Sequence, residues 1–170
     1  MKNIEIERKI ILKGVPDIEY DQVLNITQYY FKNEEGIWER FRRSEDQNGE
    51  VTYIKTIKTT ISKGISNEDE DIISKDDYKN AKSLCKSGEY ESRRISKIRH
   101  VKYVDGTDLK WEIDEFTDIN ITIAEIEIPT LDFEVDFPDY ITDVMIKEVT
   151  GIKEFNNRRM AEVLFTKETV

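Results

Sequence analysis

The feature that most constrains the fold is a repeated alternation of charged and apolar side chains. Residues 5–9 read Glu-Ile-Glu-Arg-Lys, inside a strand-like stretch at 3–13. A β-strand turns every second side chain to the same face, so Glu5, Glu7 and Lys9 share one face and isoleucines dominate the other. The strand therefore aligns two acids and one base along one side.

The same spacing recurs in other strand-like segments. Charged pairs at i, i+2 are Arg40 and Arg42, Lys97 and Arg99, Glu112 and Asp114, and Glu125 and Glu127. In another segment Lys58 shares a face with the uncharged Thr56. In most of these segments the opposite face is apolar, and several segments present charges of one sign only.

Two architectures would explain this pattern. In a β-sandwich the apolar faces form the core and the charged faces lie in solvent, which is the better interpretation of any single strand. In a closed barrel the charged faces line the lumen and the apolar faces are covered by helices. The set as a whole favours the barrel, because solvated faces mix signs and include more uncharged polar residues.

Composition limits the alternatives. A chain of 170 residues suits one domain, 1–170, and an aromatic content of 10% with recurrent isoleucine provides a core despite 36% charged residues. A net charge of −10 makes general nucleic-acid binding unexpected. One cysteine excludes an internal disulfide and a thiolate zinc cluster. Without a signal-like or membrane-spanning stretch, we expect a cytoplasmic protein with no membrane partner.

The segments predict a mainly β fold, an eight-stranded closed antiparallel barrel with helices packed outside and a C-terminal helix. A helical turn is predicted at 16–24, and helices at 74–86, 137–151 (leading into a short extended piece) and 153–165. The eight strands are predicted at 3–13, 26–33, 37–45, 51–61, 68–74, 91–104, 109–116 and 121–129. The fifth is a weak strand whose register is open between Asp69/Asp71 and Glu68/Glu70, and a solvated acidic loop is an alternative there.

A lumen that holds acids and bases together suits a polyanion bound with metal ions. Arginine and lysine bind phosphate oxygens, whereas carboxylates bind Mg²⁺ or Mn²⁺, which can bridge to phosphates. Phosphate binding alone would not require the acids, and metal binding alone would not require the bases.

The motifs resemble those of the CYTH superfamily, the triphosphate tunnel metalloenzymes. Residues 5–9 match its Glu-x-Glu-x-Lys signature, and the resemblance runs from residue 3 to about 162. Later matches, in the family's order, are Gln28 and Tyr30, Arg40 and Arg42, Lys58, Lys97 and Arg99, Glu112 and Asp114, Glu125 and Glu127, and the C-terminal Glu148, Asn157 and Ala161.

Three positions depart from the family pattern. Asn67 stands where the family has Arg on the fifth strand, Phe155 where Tyr is common, and Glu154 where a base is common. These differences bear on metal affinity and on substrate preference.

The resemblance implies a tunnel that binds a small triphosphate with Mg²⁺ or Mn²⁺, and a water activated by the metal as the nucleophile. It implies catalytic roles for Glu5, Glu7 and Lys9. It implies triphosphate binding by Lys9, Arg40, Arg42, Lys58, Lys97 and Arg99. It implies metal binding by Glu5, Glu7, Asp114, Glu125 and Glu127, with Asp69, Asp71 and Glu112 as further candidates.

The expected activity is hydrolysis of inorganic tripolyphosphate or a small organic or nucleoside triphosphate. A class IV-type adenylate cyclase would use the same tunnel, and a non-catalytic triphosphate- or polyphosphate-binding module would keep the bases while tolerating loss of acids. The partner expected is therefore a small molecule, and a homodimer is compatible with this interpretation.

Overall fold

The computed structural model describes residues 2–161. Nine strands are present: β1 (Lys2–Leu12), β2 (Gln22–Lys32), β3 (Trp38–Glu45), β4 (Val51–Ser62), β5 (Ile65–Ile72), β6 (Ser92–Tyr103), β7 (Lys110–Phe116), β8 (Thr122–Glu127) and β9 (Met145–Glu148). Helices form at α1 (Lys75–Ser87) and at the short α2 (Asp139–Thr142), and residues 157–161 are also helical.

Eight of the strands close into an antiparallel barrel. They pair in the order β5-β4-β3-β2-β6-β7-β8-β1, and β1 pairs again with β5 to complete the ring. The predicted barrel is therefore confirmed. The ninth strand, β9, pairs with the end of β1 outside the ring.

Large parts of the outward surface of the barrel are apolar and covered, as the alternation predicts, although β5 turns Asp69 and Asp71 outward. Capped by Ser74, helix α1 buries Tyr78, Ala81 and Cys85 against aromatic residues of β2 and β3. The segment 130–145 covers a second outer cluster that includes Ile10, Trp111 and Ile126. Burial of these faces leaves the charged face of each strand for the interior.

Some local predictions were wrong. Residues 16–24 form no helical turn, because β2 already begins at Gln22. Most of 137–151 is not helical, since only α2 forms there and β9 follows as the extended piece. The helix expected at 153–165 is confirmed at residues 157–161, which follow the 3-10 turn Lys153–Phe155, and its residues 162–165 lie outside the described residues.

One end of the barrel interior is filled by apolar side chains. Met160 and Ala161 of the C-terminal segment pack against inward-facing residues of β2, β6, β7 and β8, namely Tyr30, Ile95, Phe116 and Ile123. The charged part of the lumen lies beyond this cluster, and its other side is solvent-accessible, with the Lys58 side chain 36% exposed.

Candidate active site

The strand registers bring the predicted charged residues to the same interior. Residues directly opposite one another on paired strands share a face, and Glu7 lies opposite Glu127 while Lys9 lies opposite Glu125. The residues placed on the lumen face are Glu5, Glu7, Lys9, Arg40, Arg42, Lys58, Lys97, Arg99, Glu112, Asp114, Glu125 and Glu127.

Two lysines connect the acids of β1 to neighbouring strands. Lys58 Nζ lies 2.6 Å from Glu5 Oε1 and 3.6 Å from Glu7 Oε1. Lys9 Nζ lies 3.4 Å from Glu125 Oε1 and 4.0 Å from Glu7 Oε1. Burial would lower the pKa of Lys9, but Glu125 and Glu7 outweigh it and raise that pKa above its usual value. Both ammonium groups therefore stay charged at neutral pH.

A second group of charges is centred on the buried side chains of Asp114 and Lys97. Asp114 is 0% exposed and accepts hydrogen bonds from Arg99 Nε at 2.8 Å and Arg99 Nη2 at 2.9 Å. Arg99 Nη1 reaches Glu112 Oε2 at 2.8 Å. Lys97 Nζ lies 2.8 Å from Asp114 Oδ2 and donates to Asn157 Oδ1 at 2.9 Å.

Asp114 therefore neutralises two buried bases. Burial alone would raise the pKa of Asp114, but Arg99 and Lys97 hold this pKa well below its usual range. Burial lowers the pKa of Lys97 to about 7, with Arg99 and Arg42 acting in the same direction and Asp114 opposing them. Metal binding by Asp114 stays a prediction, and these contacts favour instead a role in holding Lys97 and Arg99.

Arg40 and Arg42 of β3 have neutral hydrogen-bond partners, and Arg40 Nη2 lies 3.9 Å from Glu70 Oε2. Arg42 Nε donates to Gln28 Oε1 at 2.8 Å, and Arg40 Nη2 donates to Thr56 Oγ1 at 2.9 Å. Burial, Arg40 and Arg99 lower the pKa of Arg42 to about 9. Within residues 2–161, the Arg40 Nε atom is buried without a hydrogen-bond partner. Cations held this way can accept an anionic ligand without first breaking a strong ion pair.

Several acids repel one another on the opposite side of the lumen. Burial and Glu125 raise the pKa of Glu7 to about 8. Burial and Glu5 raise the pKa of Glu68 to about 7, and they raise the pKa of Glu127 in the same way. Like charges crowded in a partly buried space are relieved by protonation or by a cation.

The acids fit a hard divalent cation in kind but do not form a finished metal site. Carboxylate oxygens of Glu5, Glu7, Glu125 and Glu127 are the donors that Mg²⁺ and Mn²⁺ take in proteins. Across the described part of the chain, however, no three acidic, histidine or cysteine side chains converge as a metal-binding group. The present lysine contacts of Glu5, Glu7 and Glu125 would have to loosen for these groups to act as ligands together.

The register of β5 differs from part of the prediction. Glu68 lies opposite Lys58 and Glu70 opposite Thr56, so both glutamates face the lumen. Asp69 and Asp71 share the opposite, outer face, and the candidate assignment of those two residues to the site does not match this register. This register also puts Ser66, rather than Asn67, on the inner face of the strand.

Three lumen residues were not assigned a role from the charge pattern. Gln28 is 0% exposed and orients Arg42, Thr56 is 1% exposed and orients Arg40, and Asn157 holds Lys97. Uncharged residues at the same i, i+2 parity are the signal that could have identified the first two. Asn157 comes from a segment outside the sheet, so strand parity does not predict it.

Searches against known proteins gave matches of fold only. No protein-family model and no curated protein matches the chain. The crystal structure of the inorganic triphosphatase NE1496 is similar over 92% of this chain and 93% of its own, with a TM-score of 0.55 and 21% identity.

Two further structures show the same architecture. PH1819 from Pyrococcus horikoshii OT3 matches with a TM-score of 0.59 and 17% identity, over 75% of this chain and 80% of its own. A candidate adenylate cyclase from Bacillus halodurans matches with a TM-score of 0.52 and 18% identity, over 76% of this chain and 82% of its own. The protein thus has the barrel fold expected from its resemblance to triphosphate tunnel metalloenzymes.

Proposed function

We propose that the protein is a divalent-metal-dependent triphosphatase that takes inorganic tripolyphosphate or a small organic or nucleoside triphosphate into the lumen of its barrel. The observation that carries the proposal is the half-buried pair Arg40 and Arg42, which points into an enclosed space with Thr56 and Gln28 as hydrogen-bond partners and only a long contact of 3.9 Å between Arg40 and the Glu70 carboxylate. Guanidinium groups in such a space are suited to phosphate oxygens, which they bind through several N–H groups.

The remaining bases extend this phosphate-binding surface. Lys9, Lys58, Lys97 and Arg99 lie on the same lumen face as the two arginines. Each is already paired with a carboxylate, so a phosphate chain would compete with those acids for the bases. The carboxylate partners of Lys9 and Lys58 are Glu125 and Glu5, which are also proposed metal ligands. If a metal took these carboxylates, both lysines would be free to bind the phosphate chain.

The acids of β1 and β8 would hold Mg²⁺ or Mn²⁺ through Glu5, Glu7, Glu125 and Glu127. When bound, such a metal neutralises phosphate charge and lowers the pKa of a coordinated water. The protein itself supplies fixed bases on the opposite side and a largely buried interior, which strengthens each electrostatic contact. Phosphoryl transfer needs mainly this positioning and neutralisation of charge.

The filled end of the barrel supports a small substrate. Tyr30, Ile95, Phe116 and Ile123 close the interior together with Met160 and Ala161. A triphosphate would therefore reach the bases from the solvent-accessible side, where Lys58 and Glu127 lie. The likeness in fold to a known inorganic triphosphatase agrees with this proposal.

One set of incubations tests the proposal. The protein is mixed with tripolyphosphate or ATP in the presence of Mg²⁺ or Mn²⁺, and phosphate, pyrophosphate and cyclic AMP are quantified. Phosphate release that depends on the metal is the expected result. Cyclic AMP with pyrophosphate from ATP would identify a cyclase instead, and ligand-dependent thermal stabilisation without any product would identify a binding module.

A further inference from the structure

The edge of β1 that faces away from β8 is divided between two strands. β5 pairs with Lys2–Ile6, and β9 pairs with Ile10–Leu12. Between these two ladders, residues 7–9 have no strand partner on that edge within residues 2–161. The interruption falls on Glu7 and Lys9, whose side chains are central to the proposed site.

Two turns fill the interruption. Glu7 N donates to Gly64 O at 2.9 Å, from the turn between β4 and β5. Lys9 N donates to the Thr150 hydroxyl Oγ1 at 2.9 Å, and Val149 N donates to Lys9 O at 2.8 Å. The backbone of both site residues is therefore held by non-strand groups, and one of these groups is a side chain.

The two turns also pack directly on each other. A Cβ atom on Gly64 would lie 3.0 Å from both Glu7 O and Thr150 Cγ2. A Cβ atom on Gly151 would lie 2.3 Å from Lys63 Cγ. Both glycines have positive φ, 75° and 71°, which other residues rarely adopt, so the close approach depends on glycine at both positions.

We infer that Thr150, together with the Gly64 and Gly151 turns, is a positioning element that sets the alignment of Glu7 and Lys9 for the reaction. This inference rests on the proposed function. The Thr150 hydroxyl is the one side-chain acceptor recorded for the backbone of Lys9 among the described residues. Its loss would let the central part of β1 shift relative to β8, where Lys9 faces Glu125. Small misplacements of reacting groups have large effects on turnover.

The test compares Thr150→Val, which keeps the shape but loses the acceptor, with Thr150→Ser, which keeps the hydroxyl. Thr142→Val is the matched control. Thr142 is exposed on α2, and within residues 2–161 its hydroxyl donates only to the nearby Asp139 carbonyl. Each variant is assayed for hydrogen exchange of the Lys9 amide, melting temperature, and kcat and KM for tripolyphosphate with Mn²⁺.

We expect Thr150→Val to accelerate exchange of the Lys9 amide and to lower kcat about tenfold or more, with a smaller change in KM. Thr150→Ser should restore both quantities to within about threefold of wild type, as Thr142→Val should. A purely structural role would lower the melting temperature without changing kcat of the folded enzyme, and that result would overturn the inference. Unchanged amide exchange in Thr150→Val would overturn it as well.

The wild-type protein tests the proposed function independently of the Thr150 variants. A wild-type protein that neither binds nor cleaves tripolyphosphate would overturn the triphosphatase proposal, and the positioning role of Thr150 with it. Active wild type with a Thr150→Val variant of equal kcat would overturn the inference alone.

Discussion

The Nζ atom of Lys97 lies 2.8 Å from Oδ2 of Asp114, and both side chains are 0% exposed. Arg99 binds the same carboxylate through two nitrogens. A lysine and an arginine are thus enclosed in the barrel with one shared fully buried acid. This relationship makes Asp114 a residue on which both the fold and the phosphate-binding bases depend.

Replacement of Asp114 by Asn should therefore be strongly destabilising. Removal of one partner from a buried ion pair leaves uncompensated charge and typically costs about 3–5 kcal/mol. Urea unfolding at neutral pH measures the change, with Asp118→Asn in the exposed β7–β8 turn as the control, expected within about 0.5 kcal/mol of wild type. An Asp114→Asn protein as stable as the control would contradict this account.

The register of β5 predicts opposite results for two neighbouring acids. Glu68→Gln should change the metal dependence of tripolyphosphate hydrolysis, because Glu68 faces Lys58 in the lumen. Asp69→Asn should have little effect, because Asp69 lies on the outer face opposite Ile57. Steady-state kinetics across a Mn²⁺ titration compares the pair. A larger effect of Asp69→Asn would show that the alternative register is the functional one.

Arg42→Ala should weaken substrate binding more than it slows turnover. Arg42 is half-buried beside Gln28 and would offer its remaining N–H groups to phosphate in the ground state and in the transition state alike. KM for tripolyphosphate should rise by about tenfold or more, with a smaller fall in kcat. Added metal should not recover this loss. Gln28→Ala, which removes the partner of Arg42, should produce a weaker form of the same effect.

Glu7→Ala should lower turnover by orders of magnitude, because the proposed metal both neutralises phosphate and activates water. Glu127→Ala should act similarly, since Glu127 lies directly opposite Glu7. Higher Mn²⁺ should restore part of the activity in both variants, in contrast to Arg42→Ala. Near wild-type turnover of both variants at low Mn²⁺ would show that these acids are not metal ligands.

The pH dependence of stability should carry the signature of crowded acids. The pKa of Glu7 rises from 4.5 to about 8 in the folded protein, so between these values the folded state holds a proton that the unfolded state has lost. Stability without ligand should therefore fall as pH rises from 5 to 7, by up to about 1.4 kcal/mol per pH unit for each such proton. Glu68, with a pKa of about 7, acts in the same direction.

Urea unfolding of the metal-free protein at a series of pH values measures this slope, and Glu7→Gln should flatten it. Below about pH 6 the lowered pKa of Lys97 adds no opposing slope, because that group is protonated in both states there, whereas between pH 6 and 7 its partial deprotonation in the folded state opposes part of the fall. Metal binding should release protons and tighten with pH over the same interval. A wild-type slope equal to that of Glu7→Gln would contradict the assignment to Glu7.

The sequence by itself determined which face of most strands lines the barrel. Side-chain direction in a strand alternates with every residue, so Arg40 with Arg42 and Lys97 with Arg99 had to share faces wherever those strands were placed. An apolar opposite face that must be buried then selected the interior for the charges. The likeness of the motifs to a known family added the expected order of strands and their closure.

Only the tertiary structure decided the orientation of β5 and the environment of each charge. Residues 68–71 are acidic at every position, so no apolar face selects a register, and pairing with β4 and β1 turns Glu68 inward. The contacts that hold Lys9 through Thr150 and Lys97 through Asn157 span 141 and 60 residues of sequence, respectively. Such contacts depend on chain closure, and a local pattern cannot specify them because their free energy arises only when distant segments meet.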